Sequence, residues 1–163
     1  MYSVSGVRLQ SAALPYRIDG AGRPEILLVT SARAKRWTIP KGRAERHLTL
    51  AENAAKEALE EAGIIGAVAS RSSGMFRATK RVADGVVAIE VRVYLMEVTG
   101  MLEDWPEKRQ RRIKWVSCAT AARLLREPLL RHLCLQLGEV HGRRPLPSER
   151  LAGGRQQLRQ ASR

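Results

Sequence analysis

Between Thr49 and Gly63 the chain carries both ends of one helix. Thr49 followed three residues on by Glu52 is a capping box, in which each residue satisfies the other's backbone N–H. Ala51, Ala54, Ala55, Ala58, Leu59 and Ala62 are strong helix formers. Gly63 stands where a helix stop belongs. On a 3.6-residue wheel Ala51, Ala55, Ala58, Leu59 and Ala62 gather on one side. That small apolar face is expected to pack closely on a sheet. Glu57, Glu60 and Glu61 are expected on the other side.

Residues three and four apart on a helix have Cβ atoms roughly 5–6 Å apart. Three carboxylates therefore converge on one patch. Acidic helix faces are commonly just solvated. Here Glu60 and Glu61 stand directly before the stop, where the partial negative charge of the last turn favours Lys, Arg or His. Local stability given up in this way marks a functional site. A hard divalent cation such as Mg²⁺, with Mn²⁺ as its substitute, is the natural occupant of an all-oxygen patch.

From Gly42 to Ile64 the sequence reads GRAERHLTLAENAAKEALEEAGI. It resembles the Nudix box: a glycine, five spacers, a Glu, seven spacers, Arg-Glu, an apolar residue, a spacer, Glu-Glu, a spacer, Gly and an apolar residue. Gly42, Glu57, Ala58, Glu60, Glu61, Gly63 and Ile64 match at the right spacing. Trp37-Thr38-Ile39-Pro40-Lys41 is similar to the strand and Pro-Lys-Gly lead-in of that family. Two positions depart: Leu48 stands where the first Glu belongs, and Lys56 stands where Arg belongs. Lys keeps the charge but lacks the planar fork of Arg. Glu45 and Glu52 are the acids near enough to replace the missing Glu, and Glu52 already caps the helix. Outside the box, short stretches around Gly74–Phe76, Ile89–Val98, Leu102–Glu107 and Lys114–Val116 resemble the diphosphoinositol polyphosphate phosphohydrolases and their bacterial relatives.

The resemblance implies a Mg²⁺-dependent hydrolase that cleaves a phosphoanhydride bond. Glu57, Glu60 and Glu61 would be the metal-binding and water-activating cluster, with one of them as general base. The Gly42 carbonyl would be a further ligand and Lys56 a tether for the carboxylates. Arg33, Arg36 and Lys41 beside the Gly42 loop, and Arg77, Lys80 and Arg81 further on, are the candidate phosphate contacts, because Arg and Lys pair well with phosphate oxygens. The substrate expected is a highly phosphorylated small molecule, such as a diphosphoinositol polyphosphate or a diadenosine polyphosphate. Two other readings compete. One is a catalytically degenerate module that binds RNA or another polyanion. The other is an RNA 5′-pyrophosphohydrolase, which needs stacking aromatics. Trp37, Phe76, Trp105 and Trp115 are its only large candidates.

Lys and Arg outnumber Asp and Glu by 29 to 16, a formal charge of +13. Such a field draws anionic ligands. At 163 residues, 44% of them hydrophobic, the chain supports one packed domain with an aliphatic core, since aromatics are only 4%. The domain is expected over residues 1–138. Residues 139–163, rich in Arg and poor in large apolar side chains, read as a disordered basic tail suited to weak RNA or polyanion binding. No secretory leader is evident and apolar runs such as Ile26–Val29 are too short to span a bilayer, so neither a signal peptide nor a membrane is expected. Cys118 and Cys134 read as buried free thiols. A cytoplasmic location is therefore expected.

The order of elements predicts an α+β fold, an α/β/α sandwich around a mixed β-sheet. Strands are expected over Val7–Ile18, Glu25–Thr30, Arg36–Pro40, Gly66–Arg77, Val86–Val98 and Arg111–Val116. Asp84-Gly85 is the turn signal between two of them. Ser117 is the expected cap of a helix over Cys118–Leu125, and Pro128 opens another that ends near Gly138.

Overall fold

The computed structural model describes residues 6–142. The expected tail from residue 143 on lies outside the described residues. Strands β1 (Arg8–Ile18), β2 (Pro24–Thr30), β3 (Trp37–Thr38) and β4 (Lys41–Arg43) precede helix α1 (Leu50–Ala62). Strands β5 (Ile64–Val68), β6 (Gly74–Val82), β7 (Gly85–Met101) and β8 (Ile113–Ser117) follow, then helices α2 (Cys118–Leu124) and α3 (Pro128–Gly142).

The sheet is mixed. β1 runs parallel to β7, from Arg8 opposite Ile89 to Tyr16 opposite Glu97. Every other pairing is antiparallel. Side chains alternate across a strand, and this splits the core in two. Ala12, Leu14, Ile26, Leu28, Val91 and Val93 pack against Ala121, Leu130, Cys134 and Leu137 of α2 and α3. Ala13, Leu27, Tyr94 and Met96 pack against Ala54, Ala58 and Ala62 of α1. One helix covers one face and two cover the other, which is the expected sandwich. Both cysteines are buried and free, as expected. No described helix is long and apolar enough to cross a membrane.

Three readings need correction. The strand expected over Gly66–Arg77 is two strands, β5 and β6. Both pair with β7, whose 17 residues offer separate stretches to each. Helix α3 continues past Gly138 to Gly142, so the boundary expected at 138/139 falls inside it. Finally, α1 buries Asn53, Ala54, Ala58, Glu61 and Ala62, while Ala51, Ala55 and Leu59 are only half-buried. The buried face is rotated so that Glu61 points inward.

The ends of α1 explain its placement. The Thr49–Glu52 capping box is present, and Gly63 closes the helix in the left-handed conformation (φ 66°). Asn53 donates from Nδ2 to the buried Ser11 Oγ at 2.8 Å, tying the first turn to β1. At the other end the 102–112 loop folds over the helix. Leu102 N–H donates to Gly63 O (2.7 Å), Glu107 N–H to Glu60 O (3.0 Å) and Trp105 Nε1–H to Glu61 O (3.3 Å). These donors satisfy carbonyls that no basic residue of the last turn serves.

Candidate active site

A cleft of about 450 Å³ opens beside the C-terminal half of α1. Glu57, Glu60 and Glu61 form one wall, and Lys41, Gly42 and Arg43 of β4 form another. Lys80 from the β6–β7 hairpin and Glu107 and Arg111 from the 102–112 loop complete it. Gly42 lies directly against Glu57: a Cβ built on it would stand 2.5 Å from Oε2 and closer still to Cδ and Oε1. The glycine of the motif is thus a requirement of close approach, and the backbone there needs no left-handed φ.

The three glutamates differ in their surroundings. Glu60 is bound to Lys56 Nζ at 2.9 Å, and the same ammonium binds Glu45 at 2.9 Å. Those two carboxylates, Glu45 first, hold the Lys56 ammonium well above its ordinary pKa. Glu61 is only 4% exposed and meets Arg111 Nη2 at 3.2 Å. Burial pushes its pKa up to about 8 against the pull of Arg111, and Glu57 and Glu107 push the same way. The ion pair does not win because Arg111 is shared: it also binds Glu107 (3.3 Å) and donates from Nη1 to Thr30 O (3.0 Å). The Glu57 carboxylate makes no ion pair or hydrogen bond among the described residues. Burial raises its pKa as well, against the pull of the Lys56 charge, with Glu60 and Glu107 adding to the rise. Opposite them, burial lowers the pKa of Lys41, while Glu61 and Glu127 act to raise it.

Among the described residues no three carboxylate, His or Cys side chains already stand in metal-holding geometry. Lys56 and Arg111 hold Glu60 and Glu61, which leaves Glu57 as the carboxylate without a partner. The donor chemistry fits a hard cation all the same. The groups are oxygens, burial and neighbouring carboxylates raise the pKa of both Glu57 and Glu61, and the half-buried Glu57 carboxylate makes no ion pair.

Of the expected phosphate contacts, Lys41 and Lys80 line the cleft. Arg33, Arg36, Arg77 and Arg81 do not. Arg36 is drawn to Glu127 at 3.4 Å. Arg77 and Arg81 sit one residue out of step with Phe76, which packs on the α2–α3 side, and with Lys80, so they face away. Sequence reasoning left Glu107 and Arg111 unassigned. Both lay in stretches already singled out, but nothing in a charged loop indicates which side chains turn inward.

The NUDIX domain profile matches residues 8–134. This chain belongs to the Nudix hydrolase family. It is 31% identical over 135 residues to Nudix hydrolase 12, mitochondrial, of Arabidopsis thaliana, covering 73% of this chain and 66% of that protein. The chain therefore spans about two thirds of the length of that plant relative. It is 30% identical over 156 residues to diphosphoinositol polyphosphate phosphohydrolase 2 of Rattus norvegicus, covering 90% of this chain and 82% of the relative. The crystal structure of a C. elegans Ap4A hydrolase binary complex shares the fold at a TM-score of 0.59 and 18% identity, covering 90% and 99% of the two chains. The Nudix box is thus the segment from Gly42 to Ile64, with α1 as its helix.

Proposed function

We propose that this chain is a Mg²⁺-dependent pyrophosphohydrolase acting on a highly phosphorylated small molecule, with diphosphoinositol polyphosphates and diadenosine polyphosphates as the substrate candidates. The observation that carries the reading is Glu57: a half-buried carboxylate without a partner, pressed on Gly42 and flanked by Glu60 and Glu61 in one cleft. Glu57, Glu60, Glu61 and the Gly42 carbonyl would hold the cation. When bound, Mg²⁺ or Mn²⁺ would supply charge against the phosphate oxygens and make the attacking water more acidic.

The chain's own residues do the rest. One of the three glutamates accepts the proton of the water that attacks phosphorus. Lys41 and Lys80, which both line the cleft, grip the phosphate chain. Lys56 holds Glu60 in place through its second partner Glu45, and Arg111 does the same for Glu61. Glu45 is thus the acid that anchors the loop in which Leu48 has replaced the family's Glu. The names of the rat and worm relatives, a diphosphoinositol polyphosphate phosphohydrolase and an Ap4A hydrolase, support both substrate candidates. We also propose a cytoplasmic location, with residues after the domain as a basic extension that binds polyanions weakly.

The test is turnover of diadenosine polyphosphates, a diphosphoinositol polyphosphate, ADP-ribose and triphosphorylated RNA with Mg²⁺, beside a Glu60→Gln/Glu61→Gln control. Turnover of a small polyphosphate, lost in the control, is expected. Faster turnover of ADP-ribose overturns the substrate class. Silence across the panel, with RNA binding retained in both proteins, establishes the rival polyanion-binding module.

A further inference from the structure

The Nudix loop has a second concave side. A groove of about 490 Å³ lies across it from the cleft. Leu9 of β1 and Leu48 and Leu50 from the loop and the start of α1 give it an apolar floor, and Arg8, Arg43 and Arg46 rim it. Arg43 lines both this groove and the cleft. The three arginine side chains make no ion pair or hydrogen bond among the described residues. The groove's one carboxylate, Glu45, is already taken up by Lys56 at 2.9 Å and by His47 at 3.3 Å. Leu48 is one of the two positions at which this chain departs from its family's motif. A Glu there would place an acid on the floor of the groove. Leucine instead makes the floor apolar beneath a cationic rim.

We propose that this groove is a second binding site, for a phosphate carried on a flat heterocycle, the nucleoside phosphate class. The proposal deepens the pyrophosphohydrolase reading and rests on it for the substrate. Apolar floor and guanidinium rim complement the two parts of such a ligand: guanidinium binds phosphate in a fork and also stacks on ring faces. The volume lies within the range of small-molecule sites, about 300–1,000 Å³. A substrate with its phosphate chain in the cleft reaches the groove past Arg43. The far nucleoside of a dinucleoside polyphosphate then sits over Leu48. An inositol polyphosphate, which bears a hydroxyl or a phosphate on every ring carbon, gains nothing from that floor.

The experiment is titration of AMP, and separately of inorganic phosphate, into the full chain in chelator, followed by calorimetry and by leucine methyl NMR. AMP is expected to bind with a Kd of roughly 1 mM or below, moving the Leu48 methyls, and more tightly than phosphate. Arg46→Ala should weaken it about tenfold, the scale of one charged hydrogen bond. Leu48→Glu should abolish binding, and Glu61→Gln should leave it unchanged. Equal affinity for phosphate and AMP, indifference to Arg46→Ala and Leu48→Glu, or loss in Glu61→Gln would each overturn the proposal. In turnover, Arg46→Ala should raise KM for a diadenosine polyphosphate and leave kcat unchanged. AMP binding as described with no hydrolysis of any substrate would sink the hydrolase reading alone. Hydrolysis without AMP binding would sink the second site alone.

Discussion

Substituting Gly42 by Ala separates the site from the fold. The added Cβ would meet Glu57 Oε2 at 2.5 Å, with Cδ and Oε1 closer still. Ordinary contact needs about 3.5 Å, so the carboxylate must retreat by about 1 Å. The strand can take the change, because Gly42 lies outside the left-handed region. Gly→Ala at such a site gains roughly 0.4–1 kcal/mol through the unfolded chain. Forcing a side chain off its rotamer costs about 0.5–1.5 kcal/mol. The two nearly cancel, so Tm should move by less than ~5 °C. Chemistry is less forgiving: a misplacement of about 1 Å costs on the order of 100-fold in rate. Gly42→Ala should therefore lose about two orders of magnitude in kcat/KM with Mg²⁺ while melting almost normally. Gly20→Ala, where a Cβ meets open space, should change neither. If Gly42→Ala kept a third or more of wild-type kcat/KM, the chemistry would not pass through Glu57. If it failed to fold, the close approach would belong to the fold and not to the site.

Lys56→Met, which frees Glu60 from Glu45, should cost roughly 10–100-fold in activity or metal affinity, the usual effect of losing a group that orients ligands; Lys56→Arg should preserve both, and equal activity of all three proteins would remove the tethering role. In chelator, stability should fall as pH rises from about 4.5 to about 8, because the folded state keeps the Glu61 proton (folded pKa about 8) that the unfolded chain has released. The slope is at most ~1.4 kcal/mol per pH unit; Glu61→Gln should flatten it in urea titrations, and an unchanged slope would show that Glu61 is not the group being ionised. Cys134, whose thiol burial pushes up to about 12, should resist iodoacetamide at pH 8 until the protein unfolds; rapid labelling of the folded chain would contradict its burial.

What the sequence made readable was whatever local chemistry writes. The capping box, the alanine run and the Gly63 stop lie within one helix, so both ends of α1 came out as read. The continuous apolar run of β2, Ile26–Val29, is equally local and was equally plain. The face of α1 that is buried was not readable, because a residue 44 positions away decides it: Trp105 donates to Glu61 O and lies on Gly63, while Arg111 reaches Glu61 from the same loop. The period of β6 likewise separates Arg77 and Arg81 from Lys80, but the packing of Phe76 decides which set meets the cleft.

The acidic end of α1 joins these two levels. Glu60 and Glu61 oppose the helix dipole; within the helix only Lys56, one turn back, answers Glu60, and the last turn itself holds no basic residue. The compensation is brought by the 102–112 loop, with an indole N–H and a backbone N–H on the exposed carbonyls and a guanidinium on Glu61. A local rule broken in the sequence thus required donors from elsewhere in the fold. The same loop that supplies them places Glu107 and Arg111 in the cleft. The elements that make the acidic helix end tolerable and those that complete the site are one segment, so the anomaly pointed to the site before its distant half could be named.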